Sequence, residues 1–254
     1  SLSTNEGFYK MGQPHDLGGD DASLLKMVIA WESIAAAGLS NDGTILGPQP
    51  GILGNATGLL REKYLLPFLS GKKFGSLAFT ESDKSRPTVA TRSKDGFEIN
   101  GNKSYVSDIE KSDFISVLAH VHPSDTGDIS GPTLFVVDKD SEGVIIEELF
   151  TSIDGSNHGS INFVEVRVPE QNVVGDIGKG IPVAIDKILR ERLEQAAIAS
   201  GMTLRVIKLL EAHLSERNGA GKRMGDIEGI RLRYADMRIK TYAIRSVLSR
   251  TSKM

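Results

Sequence analysis

The first strong pattern of apolar positions lies near the N-terminus. Apolar side chains recur three and four residues apart, at Leu24, Met27, Val28, Trp31, Ile34 and Ala35. This spacing is typical of an amphipathic helix, and the preceding Ser23 is a suitable N-cap. The pattern predicts a helix over residues 23–37, and a shorter helical run follows in 59–73. The first part of the chain is therefore predicted to be helical.

The pattern then changes to short β-branched and aromatic runs separated by Asp-Gly, Asn-Gly and Gly-Pro turns, which predicts a meander of strands. The helical period returns over 181–215 and again from about residue 226. We therefore expect an α+β fold with an N-terminal helical domain over 1–74, a middle antiparallel β-sandwich or barrel domain over 75–174, and a C-terminal helical bundle over 175–254.

One segment of the third domain breaks its own pattern. Along the predicted helix that contains "KILRERLEQAA" the apolar row Ile185, Leu189 and Ala196 has a gap at Arg192, next to Glu191. If this row is the buried side of the helix, a guanidinium lies at its centre. A carboxylate and a guanidinium in that position are candidates for chemistry.

Charge and composition narrow the function classes. A net charge of -3 without a dense basic face argues against nucleic-acid binding. The chain has no cysteine and only five scattered histidines, so we expect no metal site. The N-terminus has neither the pattern of a signal peptide nor that of an anchor, which favours a cytoplasmic setting. The helical pattern continues to the last residue, as expected for a fragment or for part of a longer protein.

Five local motifs, in order, resemble those of the FAD-dependent acyl-CoA dehydrogenase family. They are the loop and helix "YKMGQPHDLGGDDASLLKMVIAWESIA", the strand entry "EKYLLPFLSGKKFGSLAFTES", the hairpin "DGFEINGNKSYVSDIEKSDFISVLA", and the segments "FVEVRVPEQNVVGDIGKG" and "SERNGAGKRMGDIEGIRLRYADM". Together they span nearly the whole chain. The resemblance also implies that further C-terminal helices, usual in the family, are missing here.

The resemblance implies bound FAD, an acyl-CoA substrate and fatty-acid oxidation in a homotetramer that passes electrons to a partner such as an electron-transfer flavoprotein. Phe79 and Thr80 match strand positions that contact the isoalloxazine ring. Tyr105 matches a tryptophan that stacks on the flavin, and Ser107 matches a threonine that hydrogen-bonds the hydride-accepting nitrogen. Arg217 matches an arginine that reaches the FAD pyrophosphate of a neighbouring subunit. Without the resemblance, Thr80 and Tyr105 are ordinary strand residues and Arg217 is a solvated charge at a helix end.

The loop after Thr80 departs from the family pattern. The family usually has a glycine-rich loop there, whereas this chain has "SDKSRPTVAT", and loss of the glycines makes a close backbone approach less favourable. Arg86 offsets this if it binds a substrate phosphate, or it is an exposed loop charge. Both alternatives stay open on the sequence.

A branch of the family, resembling isovaleryl-CoA and long-chain acyl-CoA dehydrogenases, carries its catalytic glutamate on this long helix before an arginine. Counting back from Arg217 places Glu191 there, with Arg192 beside it. The structural alternative is a solvated pair between Glu191 and Lys187, worth only about 0.2 to 0.5 kcal/mol. Three functions therefore stay open: an acyl-CoA dehydrogenase, a related oxidase, and a non-catalytic subunit of a hetero-oligomer.

Overall fold

The computed structural model describes residues 3, 6–39, 45–123, 129–153, 155–217, 219 and 221–254. The chain divides into two compact units. A helical unit comprises Ser1–Gly47 and Leu189–Met254, and a sheet unit comprises Pro48–Ile188. The division into three domains predicted from the sequence stays a prediction.

The helices lie at both ends of the chain, as the apolar periodicity predicts. Their bounds are α1 Leu24–Ala36, α2 Gly58–Leu60, α3 Leu66–Leu69, α4 Gly180–Ser215 and α5 Glu228–Thr251, with a π-helical turn over Arg61–Leu65 between α2 and α3. The Ser23 hydroxyl accepts a hydrogen bond from the Lys26 amide at 3.5 Å, which confirms the predicted N-cap. Among the described residues, no helix combines the length and apolar character needed to cross a bilayer.

A polar cluster joins three helices of the helical unit. Glu32 of α1 accepts hydrogen bonds from the Ser200 hydroxyl of α4 at 2.6 Å and from the Arg245 guanidinium of α5 at 2.9 Å. The Glu32 side chain is only 12% exposed, so these donors compensate a carboxylate that is largely removed from water. Gly201 of α4 leaves room for the backbone of α1 beside this cluster.

The middle of the chain forms one eight-stranded mixed sheet. The strands are β1 Gly75–Ala78, β2 Val89–Ser93, β3 Gly96–Ser107, β4 Phe114–Val121, β5 Gly131–Asp138, β6 Val144–Thr151, β7 Asn157–Pro169 and β8 Val173–Val174. The order is β6-β7-β3-β2-β4-β5-β8, with β1 paired to β4. The β1–β4 and β2–β4 pairs are parallel, and the other pairs are antiparallel.

The sheet curls around its own core. Phe97 of β3 and Phe135 of β5 pack edge to face, with ring centroids 5.1 Å apart, although two strands separate them in the sheet order. The buried residues around them are mostly aliphatic and belong to six of the strands. The predicted α+β fold, with helices before and after a β-rich middle, is confirmed. The sheet is mixed rather than wholly antiparallel as predicted, because β4 pairs in parallel with both β1 and β2.

The predicted buried row on α4 is wrong. Ile185 is 44% exposed, Leu189 is 55% exposed, and Ala196 is exposed as well. In the helical unit α4 instead buries a row that includes Ala197 and Ser200. Small side chains there let α1 approach closely, so packing favours this row over the bulkier apolar one.

Candidate functional site

A short segment after β1 carries the first two predicted site residues. Phe79–Ser82 runs antiparallel to the middle of β3: the Ser104 amide donates to the Thr80 carbonyl at 3.0 Å, and the Ser82 amide donates to the Asn102 carbonyl at 3.3 Å. The Ser82 and Ser104 hydroxyls lie 2.6 Å apart. Phe79 is half-buried and Thr80 is exposed. This extension of β1 is therefore fixed beside β3 while Thr80 faces solvent.

A buried ion pair lies beneath this segment. Lys103 of β3 is 0% exposed, and its ammonium donates to Glu81 Oε1 at 2.5 Å and to the Phe79 carbonyl at 3.2 Å. The other carboxylate oxygen of Glu81 accepts from the amide and hydroxyl of Thr88 at 3.1 and 2.8 Å. Burial lowers the pKa of Lys103, and the neighbouring Glu81 carboxylate offsets part of that effect. The network ties three chain segments together.

β3 carries Tyr105 and Ser107 at its end. The register of β3 against β7 shifts between Lys103 and Val106, and within this irregularity Tyr105 has a φ of 56°. Its side chain is 66% exposed. Ser107 is exposed too. The backbone carbonyl of Ser107 accepts a hydrogen bond from the Ser76 hydroxyl at 2.8 Å. A bulge that turns side chains outward is common beside functional sites.

Four sequence-predicted residues thus lie along two adjacent segments of one unit. We call Phe79, Thr80, Tyr105 and Ser107 the β3 face. It presents an exposed aromatic ring and two hydroxyls on a backbone held by the Lys103 network. This set fits a flat heteroaromatic ring with polar edges, because the ring can stack on Tyr105 while hydroxyls and amides bond its nitrogen and oxygen atoms.

Sequence reasoning missed the side chains behind the β3 face. The Ser107 hydroxyl lies 3.2 Å from Nδ1 of His158 on β7, and the Ser156 hydroxyl lies 2.9 Å from Nε2. Phe150 of β6 stacks on the His158 ring, with centroids 5.7 Å apart, and meets the Tyr105 ring edge to face at 5.4 Å. The only signal in the sequence is a lone histidine between Asn157 and Gly159 of a strand.

Arg86 lies in an exposed turn of the sheet unit. Asp83 organises this turn: its carboxylate accepts from the amide and hydroxyl of Ser85 at 2.8 and 2.7 Å, and its carbonyl accepts from the Arg86 amide at 3.0 Å. The two hydrogen bonds from Ser85 lower the pKa of the Asp83 carboxyl group. The turn is thus ordered by a side chain rather than by glycines, and the guanidinium of Arg86 is exposed.

The predicted base lies in the other unit. Glu191 and Arg192 are exposed residues of α4, and they belong to the helical unit, whereas the β3 face belongs to the sheet unit. Their assigned roles stay predictions. Arg217, also in the helical unit, donates to the Gly221 carbonyl at 2.6 Å. This bond links Arg217 to Gly221 after the end of α4, and the role of Arg217 in binding phosphate stays a prediction.

Comparison with known proteins gives concordant matches. Residues 178–254 match the family model described as acyl-CoA dehydrogenase, C-terminal domain. Over 264 residues the chain is 28% identical to the probable acyl-CoA dehydrogenase FadE10 of Mycobacterium tuberculosis, a match that covers 98% of the chain and 40% of that protein. It is 29% identical over 250 residues to the caffeyl-CoA reductase-Etf complex subunit CarC of Acetobacterium woodii, covering 93% of the chain and 65% of CarC.

A solved structure shares the fold. The crystal structure of a probable acyl CoA dehydrogenase from Mycobacterium abscessus superposes with a TM-score of 0.82 at 26% identity. The match covers 98% of the chain and 70% of that structure. The chain therefore spans most of that fold but less than two thirds of the length of FadE10 and of CarC.

Proposed function

Because the chain belongs to the acyl-CoA dehydrogenase family, we propose that it oxidises an acyl-CoA thioester to the 2,3-enoyl-CoA with FAD as cofactor. FAD supplies the acceptor for the hydride that leaves the β carbon. The observation that carries the proposal is the β3 face, where an exposed aromatic ring and two hydroxyls lie on a backbone anchored by a buried ion pair.

The β3 face binds and orients the flavin ring. Tyr105 offers the stacking surface, and Ser107 offers a hydroxyl for the ring nitrogen that accepts hydride. Phe79 and Thr80 contribute backbone and hydroxyl contacts to the ring edge, which stabilise negative charge on the reduced cofactor. Arg217 binds the FAD pyrophosphate of a neighbouring subunit, a task suited to a planar guanidinium.

Glu191 removes the proton from the α carbon of the thioester. Glu191 is exposed in the single chain, so a seated substrate must exclude water from its carboxylate. Arg192, the next residue on α4, orients or tunes Glu191. Arg86, with its exposed guanidinium, contacts a phosphate of the CoA moiety.

Electrons leave through a partner protein. CarC, a relative of the chain, is a subunit of a complex with Etf by its own description, which supports an electron-transfer flavoprotein as partner. We place the chain in a homo- or hetero-oligomer, a dimer or tetramer, that acts in fatty-acid metabolism in the cytoplasm. A non-catalytic subunit is the second candidate, favoured by the glycine-free turn that Asp83 organises.

Anaerobic reduction tests the proposal. FAD-loaded protein should lose its visible flavin absorption when an acyl-CoA is added, and Glu191→Gln should keep FAD but lose this bleaching. Glu194→Gln, three residues further along α4, is the matched control and should bleach like the wild type. Unchanged bleaching in Glu191→Gln removes Glu191 from the reaction. A protein that takes up no FAD favours the non-catalytic subunit, and steady oxygen consumption favours the oxidase.

A further inference from the structure

The side chains behind the β3 face form a connected group that the proposed function leaves unused. His158 contacts two hydroxyls and one aromatic ring: Ser107 on the Nδ1 side, Ser156 on the Nε2 side and Phe150 on its face. Phe150 in turn contacts the Tyr105 ring. One imidazole is therefore linked to both flavin-facing side chains at the end of β3.

The pairing of the strands makes this arrangement specific. In the register of the sheet, His158 of β7 lies opposite Ser107 of β3 on one side and opposite Phe150 of β6 on the other. Directly opposed residues of an antiparallel pair have their side chains on the same face, close enough to touch. His158 is half-buried, so water competes less strongly for its ring nitrogens than at a fully exposed site.

We propose that His158 is a positioning residue for the cofactor, which orients the Ser107 hydroxyl by hydrogen bonding and supports the Tyr105 ring through Phe150. The inference rests on the proposed function, since it concerns the same FAD site. It adds a residue that is 51 positions from Ser107 in the chain and that none of the motifs assigns.

The chemistry of imidazole defines what His158 must do. A neutral imidazole donates from one nitrogen and accepts at the other. When Nδ1 carries the proton, it donates to Ser107 Oγ, and the Ser107 hydroxyl keeps its own proton to donate to the flavin nitrogen. When Nδ1 accepts instead, the Ser107 proton is engaged by the histidine. The productive tautomer is therefore the one with the proton on Nδ1, and the Ser156 hydroxyl then donates to Nε2.

Three substitutions separate the hydrogen bond from the ring contact. His158→Phe keeps an aromatic ring against Phe150 but cannot bond Ser107. His158→Asn places an amide group near the Nδ1 position and retains a donor. His158→Gln reaches towards Ser156 instead. His120→Phe is the control, because His120 is an exposed histidine of β4 in the same unit.

FAD affinity and the visible spectrum of the bound flavin are the first readouts. We expect His158→Phe and His158→Gln to weaken FAD binding about 3- to 10-fold, as for loss of one oriented hydrogen bond, and to shift the flavin absorption bands. His158→Asn should stay within about twofold of the wild type, with its spectrum restored, and His120→Phe should change neither quantity. This rescue by asparagine excludes a general loss of folding as the cause.

Nitrogen NMR of the histidines in the FAD-free protein is the second readout, and only five histidines contribute signals. Ser107→Ala should shift the Nδ1 resonance of His158 and leave that of His120 unchanged. An unshifted resonance overturns the inference, as does FAD binding by His158→Phe with wild-type affinity and spectrum. If the wild-type protein binds no FAD, the proposed function itself fails and the inference falls with it, which is a different result from the first two.

Discussion

Replacing Lys103 with methionine should destabilise the sheet unit strongly. Methionine keeps the length of the side chain but removes the ammonium, which leaves Glu81 without its ion-pair partner and the Phe79 carbonyl without its donor. Breaking a buried pair costs about 3 to 5 kcal/mol. Because the Glu81 side chain is 22% exposed and keeps its bonds from Thr88, we expect a value near the lower limit, about 3 kcal/mol.

The loss should appear in urea unfolding. With a slope of about 2 kcal/mol per molar urea, 3 kcal/mol lowers the midpoint by about 1.5 M. The single tryptophan, Trp31, belongs to the helical unit, so the sheet unit must be followed by circular dichroism and by amide exchange of Ser104, whose amide bonds the Thr80 carbonyl. That amide should exchange faster in Lys103→Met.

Two further variants make the test specific. Lys111→Met removes an exposed ion pair with Asp108, whose N–O distance is 3.6 Å, in the same unit, and should cost less than about 1 kcal/mol. Adding Glu81→Gln to Lys103→Met removes the uncompensated carboxylate and should recover about 1 kcal/mol. If Lys103→Met unfolds at the same urea concentration as Lys111→Met, the buried pair does not anchor the β3 face.

Two predictions concern the helical unit. Burial raises the pKa of Glu32, but hydrogen bonds from Arg245 and Ser200 and the Arg245 charge lower it overall. Because this pKa is lowered, ionised Glu32 contributes its full stabilisation above the ordinary carboxyl pKa of 4.5, and this stabilisation is lost as the pH falls below that value. In that acidic range the urea midpoint of Glu32→Gln should therefore fall less than the midpoint of the wild type. Gly201→Ala should destabilise by about 1 to 3 kcal/mol in thermal unfolding, because a methyl group meets the Glu32 carbonyl and outweighs the helix propensity gained. Gly229→Ala on α5, which meets nothing within 4 Å, should instead raise stability by up to about 1 kcal/mol, and the reverse order would contradict both assignments.

The elements with strong local signals were predictable from the sequence. The six apolar positions of α1 and its serine cap define that helix without any tertiary information, and the turn signals between short β-branched runs define the β-rich middle of the chain. Placement of Tyr105 and Ser107 at the end of one strand followed from the resemblance. These features depend on periodicity and motifs, which are written locally in the chain.

Features that depend on register and packing were not predictable. The contact between Ser107 and His158 requires the pairing of β3 with β7 and the irregularity between Lys103 and Val106, neither of which has a local signal. The prediction of a buried apolar row on α4 was wrong for a similar reason. Apolar spacing shows that Ile185 and Leu189 share a side of the helix, but it does not show which side the neighbouring helix covers.

Binding of FAD to the wild-type protein and to Tyr105→Ala tests the role of the β3 face most directly. Titration followed by flavin fluorescence should show saturable binding to the wild type and a dissociation constant about 3- to 10-fold higher for Tyr105→Ala, because the stacking surface is lost. Phe74→Ala, at another exposed aromatic of the sheet unit, should bind like the wild type. Absence of FAD binding to the wild type, or equal affinity of Tyr105→Ala, would contradict the assignment of the β3 face as the flavin site.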